Sequence, residues 1–229
     1  MEEVFPGRRE GFFIELGALN GIQGSNTLPL ERELDWNGIC IESNPRYFSQ
    51  LIRNRGCQCV MACVDETRSF AEFRLLAGKS GIIANDTDHN PVFSAQELRK
   101  ARARKSVFLT PTVPLAEVLD ACDAPELIEY LSLDVEGAEL RVLRRFPWNR
   151  FRIGCLTVER PLRVLNRILR RQGYHFIRRV AMDSFYVHED FFDEDKLGIK
   201  KGEWEEFPSW ILRNGEKRFV GDRRWVVKN

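Results

Sequence analysis

The sequence predicts an α/β sandwich, in which helices cover both faces of a single, mostly parallel sheet. Short apolar runs alternate with longer amphipathic segments over most of the chain, and strands that are separated by helices pair in parallel through right-handed crossovers. The last two apolar runs are separated by only three residues. Because this connection is too short for a crossover, these two strands must form an antiparallel hairpin at the end of the sheet.

The predicted strands are short apolar runs bounded by turn residues or by acids. Residues 70–76 alternate between apolar and polar side chains, as an edge strand does. The five strands that helices connect and the two strands of the terminal hairpin are, in chain order, residues 12–16, 38–42, 58–64, 130–135, 153–159, 174–180 and 184–188.

Helices are predicted where apolar residues recur three or four positions apart among charged ones. Residues 27–36 place Leu30 and Leu34 on one side, and residues 45–54 begin with Pro45, at a position where helices accept proline. The remaining predicted helices are residues 115–121, 138–146 and 162–172.

The whole chain, residues 1–229, is expected to form one domain, because chains of this length commonly fold as a single unit. Its core is predicted over residues 11–188. Residues 77–110 follow no strong pattern and are predicted to be a lid or an insertion. Residues 189–229 form a tail that is acidic at its start and rich in aromatic residues afterwards, so we expect it to fold back onto the body or to cover a partner.

Charge and hydropathy narrow the classes of function. The chain carries 35 basic and 34 acidic residues, so its overall field favours neither nucleic acid nor a membrane surface. No long apolar run and no basic-then-apolar leader is present, which predicts a cytoplasmic protein. Twelve arginines and one acid lie between Arg141 and Arg179. They form either solvated helix faces or a rim for an anionic substrate.

The six cysteines are expected to be buried free thiols. Cys57, Cys59 and Cys63 have the spacing C-x-C-x3-C, which is compatible with a metal site. No second pair of Cys or His residues stands at the spacing of a zinc finger, so the sequence favours thiols in a strand over a metal centre.

Acids at the ends of the predicted strands indicate a pocket that binds S-adenosylmethionine. Ligands bind parallel sheets at the carboxyl ends of the strands, and there Glu15 precedes the glycine turn of Gly17 and Gly21. An acid before the turn suits a ligand that carries an ammonium group, whereas a dinucleotide turn has the pattern G-x-G-x-x-G. Glu42, after the second strand, can accept hydrogen bonds from ribose hydroxyls. Asp65, after the third strand, can accept one from an adenine amino group.

Three segments resemble the FkbM-type methyltransferase family: GFFIELGALNGIQGSNTLPLERELDWNGICIESNPRYF, then YLSLDVEGAELRVLRRF, then CLTVE. The resemblance spans residues 11–188. It implies a Rossmann-like class I methyltransferase sandwich with a seven-stranded sheet and S-adenosyl-L-methionine as the cofactor. It also implies O-methylation of a hydroxyl on a sugar or small natural product, so that the partner would be a small hydroxylated acceptor.

The resemblance further implies a set of cofactor-binding residues. The family's usual aspartate at the start of this set is a glutamate here, at position 15. The residues expected to bind the cofactor are Glu15, Gly17, Ala18, Asn20, Gly21, Ser25, Asn26, Thr27, Glu42, Ser43, Asp65 and Asp134.

Three acids are candidates for the catalytic chemistry. The family's Asp-x-Glu-Gly signature matches Asp134, Glu136 and Gly137, and the acid of its fifth strand matches Glu159. Clustered carboxylates raise one another's pKa, which makes a better base, or they bind a divalent cation. We expect Asp134 beside the transferred methyl group, Glu136 and Glu159 as base candidates, and all three acids as ligands if a metal ion binds.

Several alternatives remain open at this point. Glu159 could simply pair with Arg160 or Arg163, which follow it in the sequence. The chain could also be a catalytically silent scaffold that acts through its aromatic tail, or a nucleotide-dependent oxidoreductase, which the glycine pattern disfavours. Acceptors that are methylated on nitrogen or carbon are compatible with every residue, and the oligomeric state is not readable from the sequence.

Overall fold

The computed structural model describes residues 4–89 and 95–197, together with three short strand segments at residues 209–213, 216–220 and 226–227. Its elements, in chain order, are β1 (Phe12–Leu16), α1 (Leu28–Leu34), β2 (Asn37–Ile41), α2 (Pro45–Asn54), β3 (Gln58–Val60), β4 (Cys63–Val64), β5 (Ser69–Arg74), β6 (Gly81–Ile82), α3 (Ala95–Ala103), β7 (Val107–Val113), α4 (Leu115–Ala121), β8 (Leu127–Leu133), α5 (Glu139–Arg144), β9 (Arg152–Glu159), α6 (Arg163–Arg171), β10 (Tyr174–Val180), β11 (Asp183–His188), a 3₁₀ helix (Glu189–Phe191), α7 (Glu194–Leu197), β12 (Ser209–Arg213), β13 (Glu216–Val220) and β14 (Val226–Val227).

The large sheet has the strand order β14-β10-β11-β9-β8-β1-β2-β3. β1 lies at the centre of its parallel part and pairs in parallel with β2 and β8, while β3 and β9 extend this part on either side. β11 pairs antiparallel with β9 and with β10. The predicted α/β sandwich with a terminal hairpin is therefore confirmed. The seven expected strands are present, and the short β14 adds an eighth beside β10.

Alternating side chains of the central strands build two hydrophobic layers. Ile14 and Leu16 of β1 pack with the apolar residues of α4, α5 and α6 on one face of the sheet. Phe13, which precedes Ile14, packs on the other face with Leu30 of α1 and Leu51 of α2. Because side chains alternate across a strand, an apolar run such as FFIEL can fill both layers, which is the pattern that a strand buried on both faces requires.

A second, smaller sheet has the order β4-β7-β5-β6 and corrects two details of the sequence interpretation. The predicted strand over residues 58–64 is divided, because the chain leaves the large sheet after β3 and enters the small sheet at β4. The hydroxyl of Ser43 donates to the carbonyl oxygen of Ala62 in the linking residues, at 2.7 Å. The predicted edge strand over residues 70–76 is β5, and it belongs to the small sheet.

Residues 77–110, which showed no strong pattern, contain β6, α3 and the start of β7. β7 pairs antiparallel with β5 although it includes Pro111, a residue that weakens any strand prediction. The basic residues between Arg99 and Lys105 fall largely on α3. The segment therefore contributes regular structure to the small sheet.

In the tail, β12 and β13 form a hairpin, and β14 pairs in parallel with β10. Three of the aromatic residues for which the tail was noted, Trp204, Phe207 and Trp225, lie outside the described residues. Among the helices in the described part of the chain, none is both long and apolar enough to cross a membrane.

Candidate active site

A crevice of about 610 Å³, with the open solvent at its mouth included, lies at the carboxyl ends of β1, β2 and β8. The small sheet supplies its second wall. The residues that line it are Leu16, Gly17, Leu19, Ile41, Glu42, Ser43, Ala62, Cys63, Val64, Phe73, Gly78, Ser80, Gly81, Ile82, Asp134, Val135, Glu136 and Ala138. The sequence argument placed the site at this edge of the sheet, and a pocket is found there.

The glycine turn brings the end of β1 against the end of β8. Gly17 has a φ of +79°, and a Cβ atom at this position would lie 1.8 Å from the carbonyl oxygen of Asp134. Its backbone N–H and that of Ala18 donate to the carbonyl oxygen of Ile41, at 3.0 and 3.1 Å. Only glycine therefore allows the turn to pass this close to both neighbouring strands.

Glu42 follows β2 and lines the crevice. Its carboxylate is buried and accepts hydrogen bonds from the backbone N–H groups of Leu19, at 2.8 Å, and Asn44, at 2.6 Å. Burial raises the pKa of Glu42, and these N–H groups oppose that effect. Because β1 lies between β2 and β8, Glu42 and Asp134 stand on either side of the glycine turn.

Glu15 does not line the crevice; its buried carboxylate is the centre of a hydrogen-bonded cluster beneath the loop that follows the glycine turn. It accepts hydrogen bonds from the hydroxyls of Ser25 and Thr27 and from the backbone N–H of Asn26, each at 2.8 Å. The guanidinium of Arg55 lies 3.0 Å away. Arg55 supplies the cation that the sequence argument assigned to a ligand, so Glu15 holds the loop in place.

The other residues predicted in this loop also make internal contacts. The side-chain oxygen of Asn20 accepts from the backbone N–H groups of Ile22 and Gln23, at 3.1 and 2.9 Å. The side-chain amide of Asn26 donates to the hydroxyl of Ser132, at 3.0 Å. These bonds fix the shape of the loop next to the crevice.

Asp65 also lies away from the crevice wall, which its neighbours Cys63 and Val64 form instead. Both oxygens of its buried carboxylate accept hydrogen bonds from Arg141, at 2.7 and 2.8 Å. Such bidentate pairs are among the stronger hydrogen-bonded contacts in proteins. The adenine contact predicted for Asp65 would therefore require it to release Arg141.

Asp134 and Glu159 form a pair of carboxylates at the ends of β8 and β9. The two carboxyl groups lie close enough to interact, and Asp134 is exposed at the crevice. Desolvation by the surrounding protein, together with the charge of Glu159, raises the pKa of Asp134 to about 8. The pair can therefore hold a proton near neutral pH and exchange it with a ligand.

A second cluster of carboxylates adjoins this pair. Desolvation and the charge of Glu159 raise the pKa of Glu136 to about 7. Ligand oxygens of Asp88, Glu136 and Glu159 all lie within 4.8 Å of one another. The guanidinium of Arg160 lies among the three, 2.8 Å from Glu159 and 3.3 Å from Glu136, and it also pairs with Asp88.

The sequence analysis predicted part of this arrangement. The pairing of Glu159 with Arg160, one of its alternatives, is present in the structure. Asp88 was missed, because the polar stretch around it carries no pattern that points to a site. His89 beside it is buried next to Gly81, where a Cβ atom would lie 2.9 Å from its ring nitrogen Nε2. Segment 77–110 thus contributes both to the crevice wall and to the acidic cluster.

Comparison with known proteins identifies a family. The methyltransferase FkbM domain family matches residues 15–176, which is most of the chain. No curated protein matches. Among solved structures, M. capricolum TrmK in complex with S-adenosyl-homocysteine matches 87% of this chain and 73% of that chain, with 8% sequence identity and a TM-score of 0.39.

Proposed function

The chain belongs to the FkbM methyltransferase family, and from that premise we propose that it methylates a hydroxyl group of a small acceptor, such as a sugar or a natural product. The family supports S-adenosylmethionine-dependent methyl transfer in general, and the hydroxyl acceptor is our proposal. The observation that carries it is the crevice at the carboxyl ends of β1, β2 and β8, in which Glu42 and the Asp134–Glu159 pair flank the glycine turn.

The side chains of the crevice suit S-adenosyl-L-methionine in their chemistry. Val64, Phe73 and Ile82 give one part of the wall an apolar surface, which suits an adenine ring. Glu42 offers a carboxylate beside the glycine turn, where hydroxyls of a ribose can donate to it. When bound, the cofactor supplies a methyl group on a positively charged sulfur, and the acidic surroundings of Asp134 favour a ligand end that carries positive charge.

A hydroxyl acceptor must lose its proton during methyl transfer, so a base within hydrogen-bond reach is required. The Asp134–Glu159 pair meets this need, because Asp134 interacts with Glu159 and has a pKa of about 8. Near this pKa Asp134 is present in both forms, and its carboxylate form can accept the proton of a hydroxyl. Glu136 is the alternative base, since its pKa is also close to neutrality.

The charges around the pair support an acceptor that is not an anion. Three of the twelve arginines considered as a rim for an anionic substrate are engaged elsewhere: Arg141 binds Asp65, and Arg144 and Arg145 bind Glu66. Arg160 does reach the site, but three carboxylates surround it. A neutral hydroxylated molecule avoids the repulsion that a phosphate or carboxylate acceptor would meet there.

Residues 77–110 are proposed to act as a lid over the crevice, since Gly78, Ser80 and Ile82 already form part of its wall. A metal ion does not fit the acidic cluster well. The three carboxylates close enough to hold a metal ion are Asp88, Glu136 and Glu159, whereas the sequence predicted Asp134 in place of Asp88. The guanidinium of Arg160 lies among these three carboxylates. The proposed methyl transfer therefore uses no divalent cation.

The proposal is tested in two stages. Calorimetric titration of the full chain with S-adenosyl-homocysteine, with NAD as the control ligand, should show saturable binding of the adenosyl ligand alone. Transfer of a labelled methyl group from S-adenosylmethionine is then assayed against neutral sugars, phosphorylated sugars and amines. We expect product from the neutral hydroxylated acceptors, whereas product from the amines alone would refute a hydroxyl acceptor.

Variants test the roles of the two acids. Asp134→Asn and Glu159→Gln should lower turnover by about 10²–10⁴-fold, the usual contribution of a general base, while the affinity for S-adenosyl-homocysteine remains measurable. Glu33→Gln, an exposed carboxylate on α1, is the matched control and should behave as wild type. Full activity of both site variants would contradict the assignment. A folded chain that binds no adenosyl ligand would instead favour the scaffold interpretation.

A further inference from the structure

Three cysteines lie together beneath the loop that follows the glycine turn. Cys40 of β2 is fully buried, and its Sγ lies 3.5 Å from the Sγ of Cys57. Cys57 lies in the bend between α2 and β3 and is half-buried. Cys59 of β3 is also half-buried, and its thiol contacts the carbonyl oxygen of Cys57, at 3.6 Å. Cys57 thus stands between a buried thiol and a partly accessible one.

The distance between Cys40 and Cys57 allows a covalent bond after a small movement. A disulfide requires a sulfur–sulfur distance of about 2.05 Å, so the two atoms must approach by about 1.5 Å from their 3.5 Å separation. Cys57 belongs to neither a helix nor a strand, and the bend at residues 55–57 can supply this movement. Cys40 is held within the central sheet and would stay in place.

The same three cysteines are linked to the cluster that supports the crevice. The thiol of Cys40 points to Glu15, 3.7 Å away, and Glu15 holds the loop through Ser25 and Thr27. Arg55, two residues before Cys57, is buried against Glu15. A bond between residues 40 and 57 would remove one donor from Glu15 and shift the backbone that carries Arg55.

We propose that Cys40 and Cys57 form an intramolecular disulfide when the protein meets a peroxide, and that this disulfide weakens the binding of the methyl donor. The second half of this proposal rests on the proposed function. The sulfur of Cys57, as a thiolate, attacks the peroxide, the O–O bond breaks, and a sulfenic acid forms with release of water or an alcohol. The sulfur of Cys40 then attacks that of Cys57, the S–O bond breaks, and a second molecule of water leaves.

The two thiols supply the two electrons that reduce the peroxide, and their protons leave in the two product molecules. Contact with Cys40 raises the pKa of Cys57 well above its usual range. Because the thiolate is the reacting form, the reaction is expected to be slow at neutral pH. The pair therefore suits a response to sustained oxidation rather than rapid signalling.

The test uses the full chain and measures the formation of the disulfide and the change in ligand affinity separately. Reduced protein is treated with hydrogen peroxide, digested with trypsin without a reductant, and examined by mass spectrometry. We expect a cross-link between the peptides of residues 33–46, which contains Cys40, and 56–68, which contains Cys57, Cys59 and Cys63. The cross-link should persist in Cys59→Ser and Cys63→Ser and disappear in Cys57→Ser.

Affinity for S-adenosyl-homocysteine is then measured before oxidation, after it, and after dithiothreitol. Oxidised protein should bind about fivefold more weakly, the factor expected when one ordinary hydrogen bond is lost, and dithiothreitol should restore the affinity. Cys57→Ser should keep its affinity in peroxide, and Cys122→Ser, a matched half-buried cysteine, should respond as wild type.

Each outcome decides one part of the proposal. A missing cross-link, or one that persists in Cys57→Ser, overturns the site. A cross-link without any change in affinity overturns its effect on the cofactor. If the reduced chain does not bind S-adenosyl-homocysteine, the proposed function fails, while the mass spectrum still decides whether the disulfide forms.

Discussion

Replacement of Gly17 by alanine tests the central feature of the site, the close passage of the glycine turn against β8. A Cβ atom at this position would lie 1.8 Å from the carbonyl oxygen of Asp134, whereas Cβ contacts below 3.0 Å are essentially never found. The turn or the end of β8 must therefore move by about 1.2 Å. Because both elements line the crevice, this movement changes the shape of the proposed cofactor site.

The chain offers a matched control in Gly24. Its φ of +72° is close to the +79° of Gly17, but a Cβ atom there meets nothing within 4 Å. Alanine in this left-handed conformation costs about 1–2 kcal/mol at either position. The steric overlap adds about 1–3 kcal/mol at position 17 alone, so the free energy of unfolding should fall by about 2–5 kcal/mol in Gly17→Ala and by about 1–2 kcal/mol in Gly24→Ala.

Urea unfolding of the two variants and calorimetric titration with S-adenosyl-homocysteine measure both effects. The difference in unfolding free energy isolates the steric term, because the cost of the positive φ cancels between them. Affinity should fall at least tenfold in Gly17→Ala and stay near the wild-type value in Gly24→Ala. Equal losses of stability with unchanged affinity in both variants would refute the argument that the turn needs glycine for its contact with Asp134.

Three further predictions concern the charged residues. Arg55→Met should lower the free energy of unfolding by about 3–5 kcal/mol, because the buried carboxylate of Glu15 loses the cation 3.0 Å away. In the control Arg68→Met, which breaks an exposed ion pair with Glu117, urea unfolding should show a loss of less than about 1 kcal/mol. Similar losses in the two variants would contradict the argument. The pKa of Asp134 is raised from 3.8 to about 8, so its contribution to stability is complete below pH 3.8 and is lost as the pH rises to about 8. Asp134→Asn should remove this loss, and thermal unfolding between pH 4 and pH 9 should find a flatter profile than that of wild type; parallel profiles would argue against the raised pKa. Glu42→Gln should weaken binding of S-adenosyl-homocysteine by about tenfold or more, because a hydrogen bond to a charged group contributes about 1.5–3 kcal/mol. An unchanged dissociation constant in calorimetry would show that Glu42 does not contact the ligand.

The large sheet could be predicted because its strands are buried on both faces. Runs such as FFIEL fill two hydrophobic layers at once and carry a strong apolar signal. The small sheet carries no comparable signal. β4 and β6 have two residues each, and β7 contains Pro111. Its strands are held by pairing with distant segments rather than by a local pattern, so residues 77–110 could not be assigned from the sequence.

The acids of the site could likewise be predicted only in part. The sequence predicts which acids follow the strands, since position in a parallel sheet depends on local runs. It does not predict their partners: Glu15 meets Arg55, 40 positions away, and Asp65 meets Arg141, 76 positions away. A carboxylate whose oxygens are taken up by a guanidinium in this way serves the fold.

Asp134 has the opposite environment, and this difference separates the acids that support the site from those suited to its chemistry. Its neighbour is a second carboxylate, Glu159, whose charge adds to desolvation and raises the pKa of Asp134 to about 8. Arg160 forms ion pairs with three carboxylates, Asp88, Glu136 and Glu159, so its single charge does not neutralise the Asp134–Glu159 pair completely. Proton exchange near neutral pH needs a group whose two forms are close in free energy. Among the acids at the ends of these strands, Glu15 and Asp65 are bound by arginines and Glu42 by backbone N–H groups, whereas Asp134 and Glu136 are held near that balance.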